Sequence, residues 1–131
     1  MVYLFVGMGG VIGSLLRYGI SLLTAHIWEG AFPLGTLIIN LSGAFALGWV
    51  TSRLSNSKRI PSQLLTGLTT GVIGSYTTFS TFCLETIHLM EEAYYTLAII
   101  YLALSFIGGI LLVRTGAAVG GGSNKEAGKL V

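Results

Sequence analysis

The stretch Gly71-Val72-Ile73-Gly74-Ser75-Tyr76-Thr77-Thr78-Phe79-Ser80-Thr81-Phe82 lies near the middle of a very apolar chain and reads differently from its neighbours. Its glycines and its run of hydroxyl side chains interrupt a segment otherwise suited to crossing a bilayer. Gly weakens a helix, and Ser, Thr and Tyr support one only moderately. A plain membrane helix has no need of this composition. An opened helix beside a polar path does, because carbonyls freed inside a membrane must find partners. Phe79 and Phe82, three residues apart, share one face of the helix that follows. The stretch therefore predicts a membrane helix broken near its centre. The competing reading is a Gly- and Thr-rich packing segment in a small bundle.

The chain around this stretch has 131 residues, 53% hydrophobic and 9% charged. Soluble domains carry about 25% charged residues, and the mean hydropathy here is +0.80. These values predict an all-α integral membrane protein of one domain, with no room for a separate catalytic module. Cys83 is the single cysteine, so no internal disulfide is available, and its apolar surroundings read as packing. A net charge of +2 is too small to point to nucleic acid. The first apolar stretch has no basic region before it and no clear cleavage site, so it reads as a retained span.

Residues 1–115 divide into four spans, at 2–25, 34–52, 62–89 and 93–114. The first carries Gly9-x-x-x-Gly13, a spacing that lets helices approach closely. Arg17 interrupts its apolar run. A buried Arg faces a bundle interior or a watery vestibule, or else snorkels to the headgroups. Trp28 in the following connection fits an interfacial anchor. In the second span Asn40 sits amid Leu37, Ile38, Ile39 and Leu41, and Thr36 shares its face at i,i+4. An amide there either ties helices together or faces a polar path. The third span is long for one crossing, which suits an unwound centre. It also carries Glu85, placed for the mouth of a polar path or for pairing with a base. Tyr101 and Ser105 lie four apart in the fourth span. The tail, 116–131, is Gly-rich and then polar and predicts disorder; Gly120-Gly121-Gly122-Ser123 resembles a linker.

Four spans put both termini and the 53–61 loop on one side of the membrane. That side holds Arg53, Lys58, Arg59, Arg114, Lys125 and Lys129, while the loops opposite hold no Lys or Arg. The positive-inside rule read plainly sets both termini in the cytoplasm. The polar groups within the spans are Arg17, Asn40, the hydroxyls of residues 74–81, Glu85, Tyr101 and Ser105. They form no transition-metal cluster, no nucleophile–base pair and no phosphate loop, which argues against an enzyme. Donors predominate, which leans toward a small anion. A phenyl edge is electropositive and its face negative, so an anion would meet the edges of Phe79 and Phe82. One small bundle has little interior for a pore, so the chain is expected to oligomerise.

At these residues the chain resembles the small bacterial fluoride channel family, the Fluc or CrcB proteins. The likeness rests on Gly9-Gly10-x-x-Gly13-x-x-x-Arg17-Tyr18 and on Gly35-Thr36-Leu37-x-x-Asn40-x-x-Gly43. It rests most firmly on Gly71-x-x-Gly74-x-x-Thr77-Thr78-Phe79-Ser80-Thr81-Phe82, and it covers residues 1 to about 115. The resemblance implies an antiparallel, dual-topology homodimer in the bacterial inner membrane, with two passive, selective fluoride export pores that lower cytoplasmic fluoride. It implies that Phe79 and Phe82 touch the anion through their edges and that Asn40 donates to it and orients the two rings. Ser80, Thr81, Tyr101 and Ser105 become the hydroxyl path, and Arg17 a vestibule residue; Glu85 is weakly preferred as a vestibule residue on the sequence reading. Backbone carbonyls of Gly74 and Thr77 from both subunits would hold one structural Na+ at the interface. The one-sided Lys and Arg distribution departs from what dual insertion needs. The alternative is a small proton-coupled multidrug or cation transporter, with Glu85 as its exchanging carboxylate. A third reading is a non-conducting structural subunit that requires another chain.

Overall fold

The computed structural model describes residues 1–54 and 60–127, with side chains through Gly121. Most of the basic 53–61 loop and the end of the tail fall outside that range. Helix α1 spans Val2–Ile27 and ends where Trp28 turns extended. The Trp28 indole N–H donates to the Phe32 carbonyl at 2.8 Å and folds the connection back on itself. Pro33 precedes α2, Leu34–Leu54, as its lack of an N–H and its fixed φ favour. Pro61, also extended, opens the third passage with α3, Ser62–Thr66.

That third passage changes character twice. Gly67–Ile73 is π-helical, and α4, Gly74–Tyr76, adds three residues before the backbone opens at Thr77 and Thr78. Helix α5, Phe79–Glu91, resumes beyond the opening. The expected break is therefore present, between residues 76 and 79. A three-residue turn leads to α6, Tyr95–Ala127. The turn closes with Ala93 N–H on the Met90 carbonyl at 3.1 Å and Tyr94 N–H on the Leu89 carbonyl at 2.8 Å. This is a Schellman motif, and Ala93 takes the left-handed position at φ 63°.

The α6 helix corrects one expectation. The fourth span was expected to end at Arg114, with disorder from Gly116, yet the helix continues to Ala127. Its glycines explain why. A Cβ on Gly116 would lie 3.1 Å from the Trp49 amide, and one on Gly120 3.2 Å from Trp49 Cα. These positions lie flush against α2, and close packing outweighs their poor helix propensity. At about 1.5 Å per residue, a helix of 33 residues exceeds a hydrocarbon layer of about 30 Å. One end of α6 thus reaches beyond the membrane.

The contacts give the helix directions. Phe5 meets Gly67, Gly9 meets Gly71, and Gly13 meets Val72 and Tyr76, so α1 and the first half of the third passage run parallel. Leu41 meets Gly108 and Gly48 meets Val113 and Ala117, so α2 and α6 also run parallel. Thr36 reaches Glu85 while Asn40 reaches Thr78, so these two layers run antiparallel to each other. The result is four alternating crossings. Among the described residues, three helices are long and apolar enough to span a membrane unbroken, and the interrupted passage is the fourth crossing. The buried apolar cluster is small: Leu37, Leu89, Ala98 and Tyr101, edged by Phe32, Leu41, Phe82 and Leu97. Large apolar side chains cover the outside, as hydrocarbon surroundings permit.

Candidate functional site

The site grows from a run of lost helical hydrogen bonds that begins at the Gly74 carbonyl. Thr77 N–H still reaches the Ile73 carbonyl at 3.0 Å, and the Thr77 hydroxyl donates to the same oxygen. The next bond, from Thr78 N–H to the Gly74 carbonyl, is missing. Thr78 N–H instead donates to Asn40 Oδ1 at 2.8 Å, and Asn40 Nδ2 donates to the Thr78 carbonyl at 2.9 Å. The side-chain amide thereby pairs with both polar groups of one residue, as a neighbouring strand would. This pairing also fixes which end of the amide is oxygen, because a flip would set donor against donor.

Thr78 then starts α5. Its hydroxyl accepts from Thr81 N–H at 3.3 Å and meets the Thr81 hydroxyl at 2.9 Å and that of Ser80 at 3.4 Å. A Thr N-cap is well suited to this role. Behind it, the carbonyls of Gly74, Ser75, Tyr76 and Thr77 receive no backbone hydrogen bond among the described residues. A helix end normally leaves such orphans, and here they lie at mid-passage. They are hard oxygen donors of the kind that suits an alkali or alkaline-earth cation.

Two clefts approach the break. The first, of about 450 Å³, is lined by Asn40, Gly43, Gly74, Thr77, Phe79, Phe82 and Ser105 among others. The second, of about 460 Å³, is lined by Ser21, Thr24, Trp28, Thr36, Thr81, Glu85 and His88 among others. Both draw on one turn of α5: Phe82 lines the first and its neighbour Thr81 the second. Phe79 and Phe82 have ring centroids 5.8 Å apart. Phe82 packs on Tyr101 at 5.1 Å, and Phe32 meets Tyr101 edge-on at 5.7 Å. Phe79 is 77% exposed, so one chain leaves this ring uncovered.

Glu85 joins three helices and pairs with no base among the described residues. Thr36 of α2 donates to its Oε1 at 2.7 Å, and fully buried Tyr101 of α6 donates to its Oε2 at 2.8 Å. Arg17 has no acidic partner among the described residues; the ion pair present there is His88 with Glu92, at 3.3 Å. Arg17 lies one turn beyond Gly13, whose Cβ position abuts the Tyr76 amide.

Most of the residues singled out from sequence come together. Asn40, Phe79, Phe82, Ser105, Gly74 and Thr77 border one cleft, and Thr81 and Glu85 border the other. Ser80 is exposed beside Thr78, while Tyr101 is buried behind the clefts and committed to Glu85. The Ser105 hydroxyl is buried without a hydrogen-bond partner among the described residues. Sequence reading missed the role of Thr78, as cap and as the target of Asn40, and the donation of Thr36 to Glu85. The i,i+4 pairing of Thr36 with Asn40 was the signal available for the second.

Comparison with known proteins places the chain in a family. A family model described as CrcB-like protein, Camphor Resistance (CrcB), matches residues 4–117. A Geobacillus kaustophilus protein named fluoride-specific ion channel FluC 2 is 45% identical over 126 residues, covering 96% of this chain and 98% of that protein. A Staphylococcus aureus protein named fluoride-specific ion channel FluC 1 is 42% identical over 122 residues, covering 93% and 98%. A Bacillus thuringiensis protein of the same name is 40% identical over 120 residues, covering 92% and 88%.

Proposed function

The chain belongs to the CrcB-like family, and from that premise we propose that it is a passive fluoride-selective channel of a bacterial membrane. The observation that carries this reading is a helix break bordered by two clefts, with Phe79, Phe82 and Asn40 lining one and Thr81 the other. Fluoride is small and strongly hydrated. A selective path must replace its water with a few donors and still release it. Asn40 has spent one Nδ2 proton on Thr78 and keeps one to donate. The hydroxyls of Ser80, Thr81 and Ser105 add donors, and the edges of Phe79 and Phe82 add weakly electropositive contacts that hold an anion loosely. Arg17 raises the local anion concentration from a vestibule. A gap bounded by two phenyl rings disfavours the larger chloride.

The assembly in this reading is an antiparallel dimer of the chain. Phe79 at 77% and Phe106 at 72% exposure border the first cleft, and a second copy completes its wall. The free carbonyls of Gly74 and Thr77, with their counterparts in the second copy, suit Na+. When bound there, the ion contributes positive charge and satisfies carbonyls that have no water to turn to.

Fluoride efflux from liposomes containing the purified protein tests the proposal. Efflux is expected to be electrogenic, far faster than chloride efflux, and free of stoichiometric proton movement. Proton-coupled movement of a lipophilic cation, abolished by Glu85→Gln, would replace this reading with a coupled transporter.

A further inference from the structure

We propose that Asn40 is the positioning residue that opens the third passage, acting by intercepting one backbone hydrogen bond. The helix is intact up to the bond from Thr77 N–H to the Ile73 carbonyl, at 3.0 Å. The first bond lost is the one Asn40 replaces. Its Oδ1 takes Thr78 N–H at 2.8 Å, and its Nδ2 secures the Thr78 carbonyl at 2.9 Å. Two consequences follow from one side chain. Thr78 is held extended, at φ −146° and ψ 121°, where its hydroxyl caps α5 and sets the start of the helix bearing Phe79 and Phe82. The Gly74 carbonyl is deprived of its i+4 donor, in a residue that lines the first cleft.

Asn40 thereby ties the anion path to the carbonyl cluster. In a membrane neither partner of the intercepted bond has water as a substitute, so removing the amide favours the ordinary helical bond. Gly74 imposes no side-chain obstacle to that closure. The link to sodium rests on the function proposed above; the interception itself does not.

The test reads the Gly74 carbonyl directly in the full-length protein in bilayers. Labelling with 13C′-Gly and 15N-Ser selects three peptide bonds, Gly13–Ser14, Gly74–Ser75 and Gly122–Ser123. In the unmodified chain the Gly74 resonance is expected at the position of a carbonyl without a backbone donor. Asn40→Ala is expected to move it to the hydrogen-bonded helical position. Asn40→Asp retains an acceptor for Thr78 N–H and is expected to leave it in place. An unchanged Gly74 resonance in Asn40→Ala overturns the proposal. A dipolar measurement between Thr78 15N and Asn40 13Cγ in the unmodified chain stands independently of how the variants fold. Separation beyond hydrogen-bond contact there also overturns it. Exchanging Na+ for K+ in the unmodified chain separates the two ideas. A Na+-specific shift at Gly74 supports the link to the cation, and its absence defeats that link while the Asn40→Ala comparison still decides the interception.

Discussion

Phe82 and Phe79 differ in how firmly their rings are held, and that difference has consequences for substitution. Phe82 leans on Tyr101, whose hydroxyl is anchored on Glu85, whereas Phe79 projects into the open cleft. Phe79→Ile removes only a ring edge and is expected to lower fluoride efflux tenfold or more, equivalent to about 1.4 kcal/mol in the barrier, with protein yield and melting unchanged. Phe82→Ile is expected to lower efflux comparably and also to lower the melting temperature, because it strips packing from buried Tyr101. Undiminished efflux in both variants would remove the rings from the mechanism. Tyr101→Phe isolates the neighbouring bond. It leaves one oxygen of a partly buried carboxylate without its donor, which costs about 1–3 kcal/mol. Thermal unfolding in detergent measures the loss. Thr36→Val is expected to act on the other oxygen with similar size, and an absence of effect in both would mean that water already serves Glu85.

Helix contact is where the sequence was most and least readable. The break was legible because glycines followed by a run of hydroxyl residues weaken a helix in an apolar span, and it lies where Gly74 and Thr77 pointed. The π-helical turn over Gly67–Ile73 was not, since its residues carry the same apolar pattern as an ordinary helix. Gly116 read as the start of a disordered tail and Gly120 as linker, because composition alone cannot distinguish a flexible glycine from one pressed on α2; only the packing tells them apart. Asn40 was legible as a costly polar group, but its use on both ends of Thr78 requires the two helices side by side. Glycine substitutions convert this contrast into numbers. A Cβ on Gly13 would collide with the Val72 carbonyl and sit 3.0 Å from the Tyr76 amide. Gly13→Ala is expected to destabilise by about 1–3 kcal/mol, as overpacking does. Gly7 has nothing within 4 Å, so Gly7→Ala is expected to be neutral or to gain up to about 1 kcal/mol of helix propensity. Ala93→Gly tests the α5–α6 turn in the opposite direction. It relieves a left-handed alanine at φ 63° and is expected to stabilise by about 1 kcal/mol, less the added freedom of the unfolded chain. Equal melting shifts for Gly13→Ala and Gly7→Ala would contradict the tight approach of α1 to the third passage.

The largest scale brings two physical demands into opposition. An antiparallel pair needs the chain inserted both ways, because each subunit must be the other turned over. The charge distribution favours one way: Arg53, Lys58, Arg59, Arg114, Lys125 and Lys129 share a side, and the loops opposite carry no Lys or Arg. Positive charge in short loops is retained in the cytoplasm, so copies with both termini outside are the scarcer population. In the antiparallel pair proposed above, assembly would then be limited by these inverted copies, and upright copies would accumulate without partners. The remedy follows from the cause. Replacing Arg53, Lys58 and Arg59 by Gln weakens the bias without touching the break, the rings or Asn40. Fluoride flux per milligram of membrane protein is therefore expected to rise in the triple variant. Moving the charge across the membrane, with Gly30→Lys and Ala31→Lys added to it, should return the flux toward the original value by making upright copies scarce instead. Labelling of single cysteines placed at position 94 and in the tail of a Cys83→Ser chain, from each side of intact cells, reports the orientation ratio alongside the flux. Flux that peaks where the two orientations are equal identifies an assembly built from opposed copies. Flux that tracks only the upright population would identify a pore built from copies facing the same way, and with it a different covering for Phe79 and Phe106.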